Sequence, residues 1–340
     1  MRASSFRMAV VAILGAGSWG TALAMHLGRL GHRVALWARS PAVAATLAQE
    51  RTNSVYLPGV ELPPTVVPTA ELTEACADAT AVVFACPSIA IRALAGAVDL
   101  AERRPLLVSV AKGVEQDTRL TMSQVIEQVV DDEHRARVGA LSGPSFAREV
   151  AQGMPTAVTA AARDLPVAEE IQRLFNGPTM RVYTTADVVG VEIGAAVKNV
   201  IAVAAGVSDG LGFGHNTRAA LITRGLAEIT RLAVQLGANR QTLAGLSGLG
   251  DLVLTCTGDL SRNRSVGLRL GRGEQLADIL ASMNEVAEGV RNTRSVRDLA
   301  RSVNVEMPIT EQMYLLLYEN KSPRQAVVEL MTRTLRSEFD

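Results

Sequence analysis

The chain is poor in the residues that hold disulfides and metals. Only three cysteines, Cys76, Cys86 and Cys256, occur in 340 residues. They are widely spaced and form no CxxC pair. A disulfide framework and a zinc site are therefore not expected, and a reducing cytoplasm fits best. Four scattered histidines offer no metal-ligand spacing, so no metal is expected either. Net charge is also missing: 34 basic residues balance 34 acidic ones. That argues against a nucleic-acid or anionic-membrane footprint over the whole chain, though not against a local basic site. Long apolar runs are scarce. The longest, residues 193–207, reads as too short to span a bilayer and carries Lys198 and Asn199, so no stable membrane insertion is expected.

The N-terminus imitates a short signal peptide, because Arg2 and Arg7 precede the apolar residues 8–14. The same run is the strand that the glycine motif behind it requires. Residues 1–7 then read as an extension, with Met8 as an alternative start.

What is present suffices for a globular core. Nearly half the residues are apolar, a fifth are charged, and the length suits about two domains. From residue 8 to about 190, β-rich runs alternate with helical ones. Strands are expected at 9–14, 33–37, 81–85, 106–110, 137–141, 156–161 and 180–184. A helix is expected at 18–30, and Pro41 opens another at a favoured first-turn position. Prolines 58, 63, 64 and 68 suggest one long irregular connection over 53–70. Strands separated by helices predict βαβ units and a mostly parallel, doubly wound α/β sheet. After residue 190 strand-like runs are hard to find. Segments of helical period cover about 190–208, 217–236, 262–270, 275–282, 288–302, 308–319 and 323–335. The expected division is a dinucleotide-binding domain over 8–190 and an all-α substrate domain over 191–340.

The first strand runs directly into Gly15-Ala16-Gly17-Ser18-Trp19-Gly20. The first glycine permits a tight turn, the second lets backbone approach a pyrophosphate, and the third allows close helix–strand packing. The helix starting near Ser18 points its free N–H groups at the phosphates. Strand, turn, helix and second strand all fall in place, so a bound dinucleotide is expected. One element is absent. An acid about 20 residues on normally takes the ribose 2′-hydroxyl of NAD, yet the first acid in the chain is Glu50. Arg39, helped by Arg33, can instead pair with the 2′-phosphate of NADP. NADP(H) is favoured on this ground, with NAD(H) as the alternative and a solvated Arg39 as the plain reading.

Between Glu192 and Asp209 the only charged residue is Lys198. Burial in this apolar helix lowers its preference for the charged form and moves its pKa towards neutrality. That suits a general acid for a carbonyl oxygen receiving a proton as hydride arrives at carbon. A structural ion pair to a distant acid is the alternative. Asn199 reads equally well as a helix-packing polar group. Lys112 and the Gly143-Pro144-Ser145-Phe146 turn follow expected strands, at the carboxyl edge where ligands collect. Ser145, with nearby backbone N–H groups, can hold an anion or simply cap a helix. Ser261, Arg262 and Asn263 place a hydroxyl, a guanidinium and an amide at a helix start, a set suited to phosphate. Asp251 can orient Lys198 or accept a substrate hydroxyl.

In this order, the glycine motif, Ala111-Lys112-Gly113, Ser142-Gly143-Pro144-Ser145, Val197-Lys198-Asn199, Gly212-Phe213-Gly214-His215-Asn216-Thr217-Arg218-Ala219 and Ser261-Arg262-Asn263 closely resemble bacterial NAD(P)-dependent glycerol-3-phosphate dehydrogenases. The likeness covers nearly all of residues 8–335. It implies reversible reduction of dihydroxyacetone phosphate to sn-glycerol 3-phosphate, the backbone precursor of phospholipids. It also implies a C-terminal domain like that of 6-phosphogluconate dehydrogenase, and a homodimer. Lys198 matches the proton-transfer lysine. Lys112, Gly143, Ser145, Lys198, Asp251, Ser261, Arg262 and Asn263 match substrate-site positions. Gly15, Gly17, Ser18, Trp19, Gly20, Arg39, Lys112, Ala147, Arg262, Val286 and Glu288 match cofactor contacts. Two other readings of the residues stay open: a dehydrogenase of similar layout acting on a carboxylate substrate, and a non-catalytic dinucleotide sensor.

Overall fold

The computed structural model describes residues 8–100, 103–283, 285–335 and 337–338; the expected extension at 1–7 lies outside the described residues. Ten strands form among them: β1 (Val10–Leu14), β2 (Arg33–Trp37), β3 (Thr52–Asn53), β4 (Leu57–Glu61), β5 (Val66–Thr69), β6 (Ala81–Phe84), β7 (Leu106–Ser109), β8 (Val138–Ser142), β9 (Thr156–Ala162) and β10 (Met180–Thr185). Strands β6, β7 and β8 are buried at every position and apolar at nearly all of them, as expected when helices cover both faces of a sheet. Eight strands make one sheet in the order β10-β9-β8-β7-β6-β1-β2-β5.

All neighbours in the sheet run parallel except β8 and β9. The reason lies in the connection. Between Ser142 and Thr156 the only regular element is the helix Ala147–Ala151. Five helical residues advance only about 7 Å, too little to carry the chain back along the sheet. The chain therefore enters β9 at the end where it left β8, and the Gly143–Ala147 turn stays at the carboxyl edge.

The stretch 53–70 departs from the expected irregular connection. It forms β3 and β4, a small antiparallel ribbon, and then β5, which pairs with β2. Pro68 is tolerated because β5 is an edge strand, where a missing N–H costs no ladder bond.

The sheet ends at Thr185, and the 23-residue helix Val188–Gly210 follows. It is longer than the apolar run suggested, and by length and composition it is the one helix among the described residues able to cross a membrane. Yet 94% of its apolar window is buried inside the protein, which makes it the core of the helical domain. Helices His215–Gln235, Asp251–Thr257, Arg262–Gly271 and Glu288–Ser302 pack around it. Small residues bring one of these very close. A Cβ at Gly206 would lie 2.0 Å from Arg264 O, and one at Gly267 would lie 1.9 Å from Val203 O. The two backbones therefore touch, and the start of helix Arg262–Gly271 is held beside the central helix. Residues 240–257, not read as helical from the sequence, form helix Arg240–Ala244, a π-helical turn Leu246–Gly250 and helix Asp251–Thr257.

A buried carboxylate joins the two layers. Glu192 accepts from Ser123 N at 2.9 Å and from Ser123 Oγ at 2.5 Å, in the first turn of the sheet-domain helix Met122–Val129. Burial raises its pKa, opposed by the bonds from Ser123 and Thr121.

Candidate active site

The glycine turn has the shape its sequence demands. Gly15 has φ +129°, and a Cβ there would lie 2.6 Å from Ala85 O. A Cβ at Gly20 would strike Gly15 O at 1.9 Å, so helix and turn are in backbone contact. Gly17 differs: among the described residues nothing lies within 4 Å of its Cβ position. It caps helix Ser18–Arg29 without a side-chain bond, and no acid occupies the first turn. The open N-terminal end of a twelve-residue helix thus faces free space, which fits a pyrophosphate. Ser18 and Trp19 are the half-buried first residues of that helix.

Asn53, which sequence reasoning missed, braces this turn. Its Nδ2 donates to Ala16 O at 2.9 Å and to Thr21 Oγ1 at 2.8 Å, while its Oδ1 accepts from Tyr56 N at 3.1 Å. Arg39 is exposed just beyond the carboxyl end of β2, at the same edge of the sheet as the glycine turn. Arg33 opens that strand at the far end, about 20 Å away at about 3.3 Å per residue, so it does not assist Arg39 as expected.

Four of the expected residues meet at the seam between sheet and helices. Lys198 stands mid-way along the central helix and is 4% exposed. Its Nζ donates to Asp251 Oδ1 at 2.5 Å and to Thr255 Oγ1 at 2.8 Å. Asp251, 1% exposed, also receives Lys112 Nζ on Oδ2 at 2.8 Å. Lys112 reaches Gly143 O at 3.2 Å as well. The π-helical turn ends directly before Asp251, which makes it the first residue of its helix, where a carboxylate is favoured. Thr255 follows one turn later on the same face, a spacing legible in sequence but assigned no role there.

Burial pushes Lys198 down to about 7; Asp251 opposes this and Lys112 adds to it. For Asp251, burial alone would raise the pKa, but Lys112 and Lys198 outweigh it and hold the carboxyl below its usual value. Two ammonium groups share one buried carboxylate. One cation stays uncompensated unless Lys198 sheds its proton or an electron-rich oxygen arrives. Such a site favours charge developing on a substrate oxygen.

The expected phosphate cluster lies one helix away. Ser261 caps helix Arg262–Gly271 by accepting Arg264 N at 3.2 Å. Arg262 is exposed and pairs with Glu285 at 2.9 Å. Asn263 Nδ2 donates to Asn199 Oδ1 at 3.0 Å, and its Oδ1 accepts Gly289 N at 2.8 Å. Asn199 thus links the residue beside Lys198 to this cluster. Asp209 takes Arg264 at 2.8 Å and Arg218 at 2.6 Å. That ion pair ties the Gly212–Ala219 motif to the same helix.

Ser145 does not cap a helix as one reading expected. Its Oγ donates to Gly143 O at 3.0 Å, and Phe146 takes the cap position of a five-residue helix starting at Ala147. Glu288 binds across the seam, accepting Ser88 N at 3.0 Å and Ser88 Oγ at 2.8 Å. Val286 is exposed on the loop before it.

A dinucleotide turn at the carboxyl edge of a doubly wound sheet, closed by a helical domain that delivers a near-neutral lysine, defines a nicotinamide-dependent dehydrogenase. Residues 10–168 match the family described as NAD-dependent glycerol-3-phosphate dehydrogenase N-terminus, and residues 187–328 match its C-terminus. The chain belongs to the NAD(P)-dependent glycerol-3-phosphate dehydrogenase family. It is 53% identical over 329 residues to glycerol-3-phosphate dehydrogenase [NAD(P)+] of Citrifermentans bemidjiense, covering 96% of this chain and 98% of that one. With the enzyme of the same name from Geobacter sulfurreducens the identity is 55%, over the same shares. The crystal structure of glycerol-3-phosphate dehydrogenase from Coxiella burnetii superposes with a TM-score of 0.90 at 39% identity, covering 96% of this chain and 99% of that one.

Proposed function

We propose that the chain reversibly reduces dihydroxyacetone phosphate to sn-glycerol 3-phosphate, with NADP(H) favoured and NAD(H) as the alternative. The observation that carries this reading is Lys198, buried at the domain seam on a carboxylate shared with Lys112. The Ser261-Arg262-Asn263 helix start supports a phosphate substrate over a carboxylate one.

In this reading, Ser261, Arg262 and Asn263 hold the phosphate, and Arg262 exchanges Glu285 for it. Lys112, Gly143, Ser145 and Asp251 orient the carbonyl end. Gly15, Gly17, Ser18, Trp19, Gly20, Arg39, Ala147, Val286 and Glu288, with Lys112 and Arg262, hold the dinucleotide. A bound nicotinamide supplies the hydride for C2 in reduction. Lys198 gives its proton to the C2 oxygen, and in the oxidative direction it takes that proton back. A pKa of about 7 lets it do both near neutral pH. Anchoring phosphate and carbonyl from opposite sides removes much of the entropic barrier. The division at residue 190, a homodimer, a cytoplasmic setting without membrane insertion or nucleic-acid partner, and supply of glycerophospholipid precursor complete the proposal.

An absorbance assay at the nicotinamide band tests it, comparing NADPH and NADH with dihydroxyacetone phosphate. Turnover is expected, with inhibition by inorganic phosphate and not by small carboxylates. Turnover of a 3-hydroxy acid instead would overturn the phosphate substrate.

A further inference from the structure

Lys112 sits in a loop, three residues beyond the end of β7 at Ser109. A loop lysine holds its place only if its main chain is held. The Lys112 carbonyl oxygen receives Asn292 Nδ2 at 2.8 Å and, more weakly, Asn199 Nδ2 at 3.5 Å. The same Asn292 nitrogen donates to Ala196 O at 3.2 Å, on the central helix two residues before Lys198. Asn292 is 1% exposed, on helix Glu288–Ser302. Its orientation is set by chemistry, because both neighbours are carbonyl oxygens and only the amide N–H₂ end can face them.

One buried nitrogen therefore bridges the segment carrying Lys112 and the helix carrying Lys198. We infer that Asn292 is a positioning residue, which sets the Lys112 ammonium on Asp251 by fixing the Lys112 main chain across the domain seam. Among the described residues its hydrogen bonds go to Lys112 O and Ala196 O, not to Asp251 or Lys198. The inference rests on the proposed role of Lys198 only for its kinetic consequence.

The consequence follows from how Asp251 is shared. While Lys112 holds Oδ2, Asp251 is divided between two cations, and Lys112 adds repulsion at Lys198. If Lys112 drifts, Asp251 serves Lys198 alone, and Lys198 keeps its proton to higher pH. The charged groups acting on Lys198 are Asp251 on helix Asp251–Thr257 and Lys112 from the loop, and Cys256 on the same helix as Asp251 feels Lys198, Asp251, Arg264 and Asp209.

The chain has only three lysines, Lys112, Lys198 and Lys321. Lysine labelled with ¹³C at Cε thus gives three resonances, assignable through Lys112→Arg and Lys321→Arg. In Asn292→Ala the Lys198 titration is expected to move up by at least about half a pH unit, and kcat to fall roughly tenfold, a modest case of misplacement. Ser295→Ala is the comparison. Ser295, on the same helix, donates to Gln116 Oε1 at 3.1 Å, another contact across the seam that leaves Lys112 untouched. Its titration is expected to match the parent. Asn292→Ser, which keeps one donor, is expected to fall between and serves if the alanine variant does not fold. An unmoved Lys198 titration in the Asn292 variants, or an equal shift in Ser295→Ala, overturns the inference. If the parent enzyme does not turn over dihydroxyacetone phosphate, the functional reading fails, while the lysine titration still decides Asn292.

Discussion

Lys198 and Asp251, 53 residues apart in sequence, meet at 2.5 Å with both side chains almost fully buried. The Asp251 carboxylate has a second cation, Lys112, on its other oxygen. Asp251→Asn keeps the shape and removes the charge. Burial and Lys112 then act on Lys198 unopposed, so its pKa falls below about 7. Reduction at neutral pH is expected to slow by at least about a hundredfold, the scale of lost acid–base catalysis, and Lys198→Ala to match it. A near-normal kcat in either variant would remove that residue from the chemistry.

The pH profile carries its own sign. With Lys198 as the proposed proton donor, the rate of reduction should fall as pH rises above about 7, and oxidation should show the reverse. Stability responds too. The folded-state pKa lies below the unfolded value of 10.5, so the unfolded chain binds more protons between about 7 and 10.5. This group therefore makes the protein more stable as pH rises through that window. Initial rates in both directions from pH 6 to 9 check the first point. A flat profile in both would exclude Lys198 as the group that titrates.

The parts legible in sequence were those with a local signature. Strand, glycine turn and helix follow one another within residues 10–29, and a lysine alone among apolar residues stands out without any structure. The illegible parts depend on distant partners. Asn53 bonds to Ala16 across 37 residues, and Ser88 to Glu288 across 200, separations that leave no periodic trace. The helices over 240–257 were hidden because Gly245, Gly248 and Gly250 interrupt the apolar period, and the π-helical turn there has a different one. The strands within 53–70 leave no clear trace because prolines signal irregularity, whereas an edge strand accommodates them.

Arg262 offers a test of the phosphate anchor. Its partner Glu285 occupies the guanidinium at 2.9 Å, and Arg262 is 44% exposed in its side chain. Pairs this exposed are worth no more than about 1 kcal/mol. Glu285→Gln should therefore lower KM for dihydroxyacetone phosphate by at most about fivefold, with little change in kcat. Arg262→Lys loses the bidentate fork and should raise that KM by about tenfold or more. Steady-state kinetics at fixed NADPH distinguishes them, and an unchanged KM in Arg262→Lys would place the phosphate elsewhere.

Arg39 stands exposed at the carboxyl end of β2, with no acid near it in sequence to take a ribose 2′-hydroxyl. Arg39→Ala should raise KM for NADPH by about tenfold, the size of one lost charge-assisted contact, and leave KM for NADH within about twofold. Equal losses with both cofactors would show that Arg39 does not read the 2′-phosphate.

Glu228 gives a prediction about stability alone. It reaches from helix His215–Gln235 to the start of helix Pro308–Tyr318, whose own cap, Met307, has no side-chain bond. Its carboxylate accepts Ile309 N at 2.6 Å and Thr310 N at 3.3 Å. Burial pushes its pKa up to about 7, against the opposing backbone bonds. The folded value lies above the unfolded value of 4.5, so the native state binds more protons between them. The stability from this group is fully present below about pH 4.5 and lost as pH rises through about 7. Glu228→Gln has no such titration, and its amide nitrogen cannot accept a backbone N–H, whereas the hydroxyl oxygen of the protonated acid can. The variant should melt below the parent at pH 5, and the gap should narrow by pH 8 as the parent loses its advantage. Thermal melts at four pH values suffice, and a gap that stays constant would show that Glu228 does not titrate in this range.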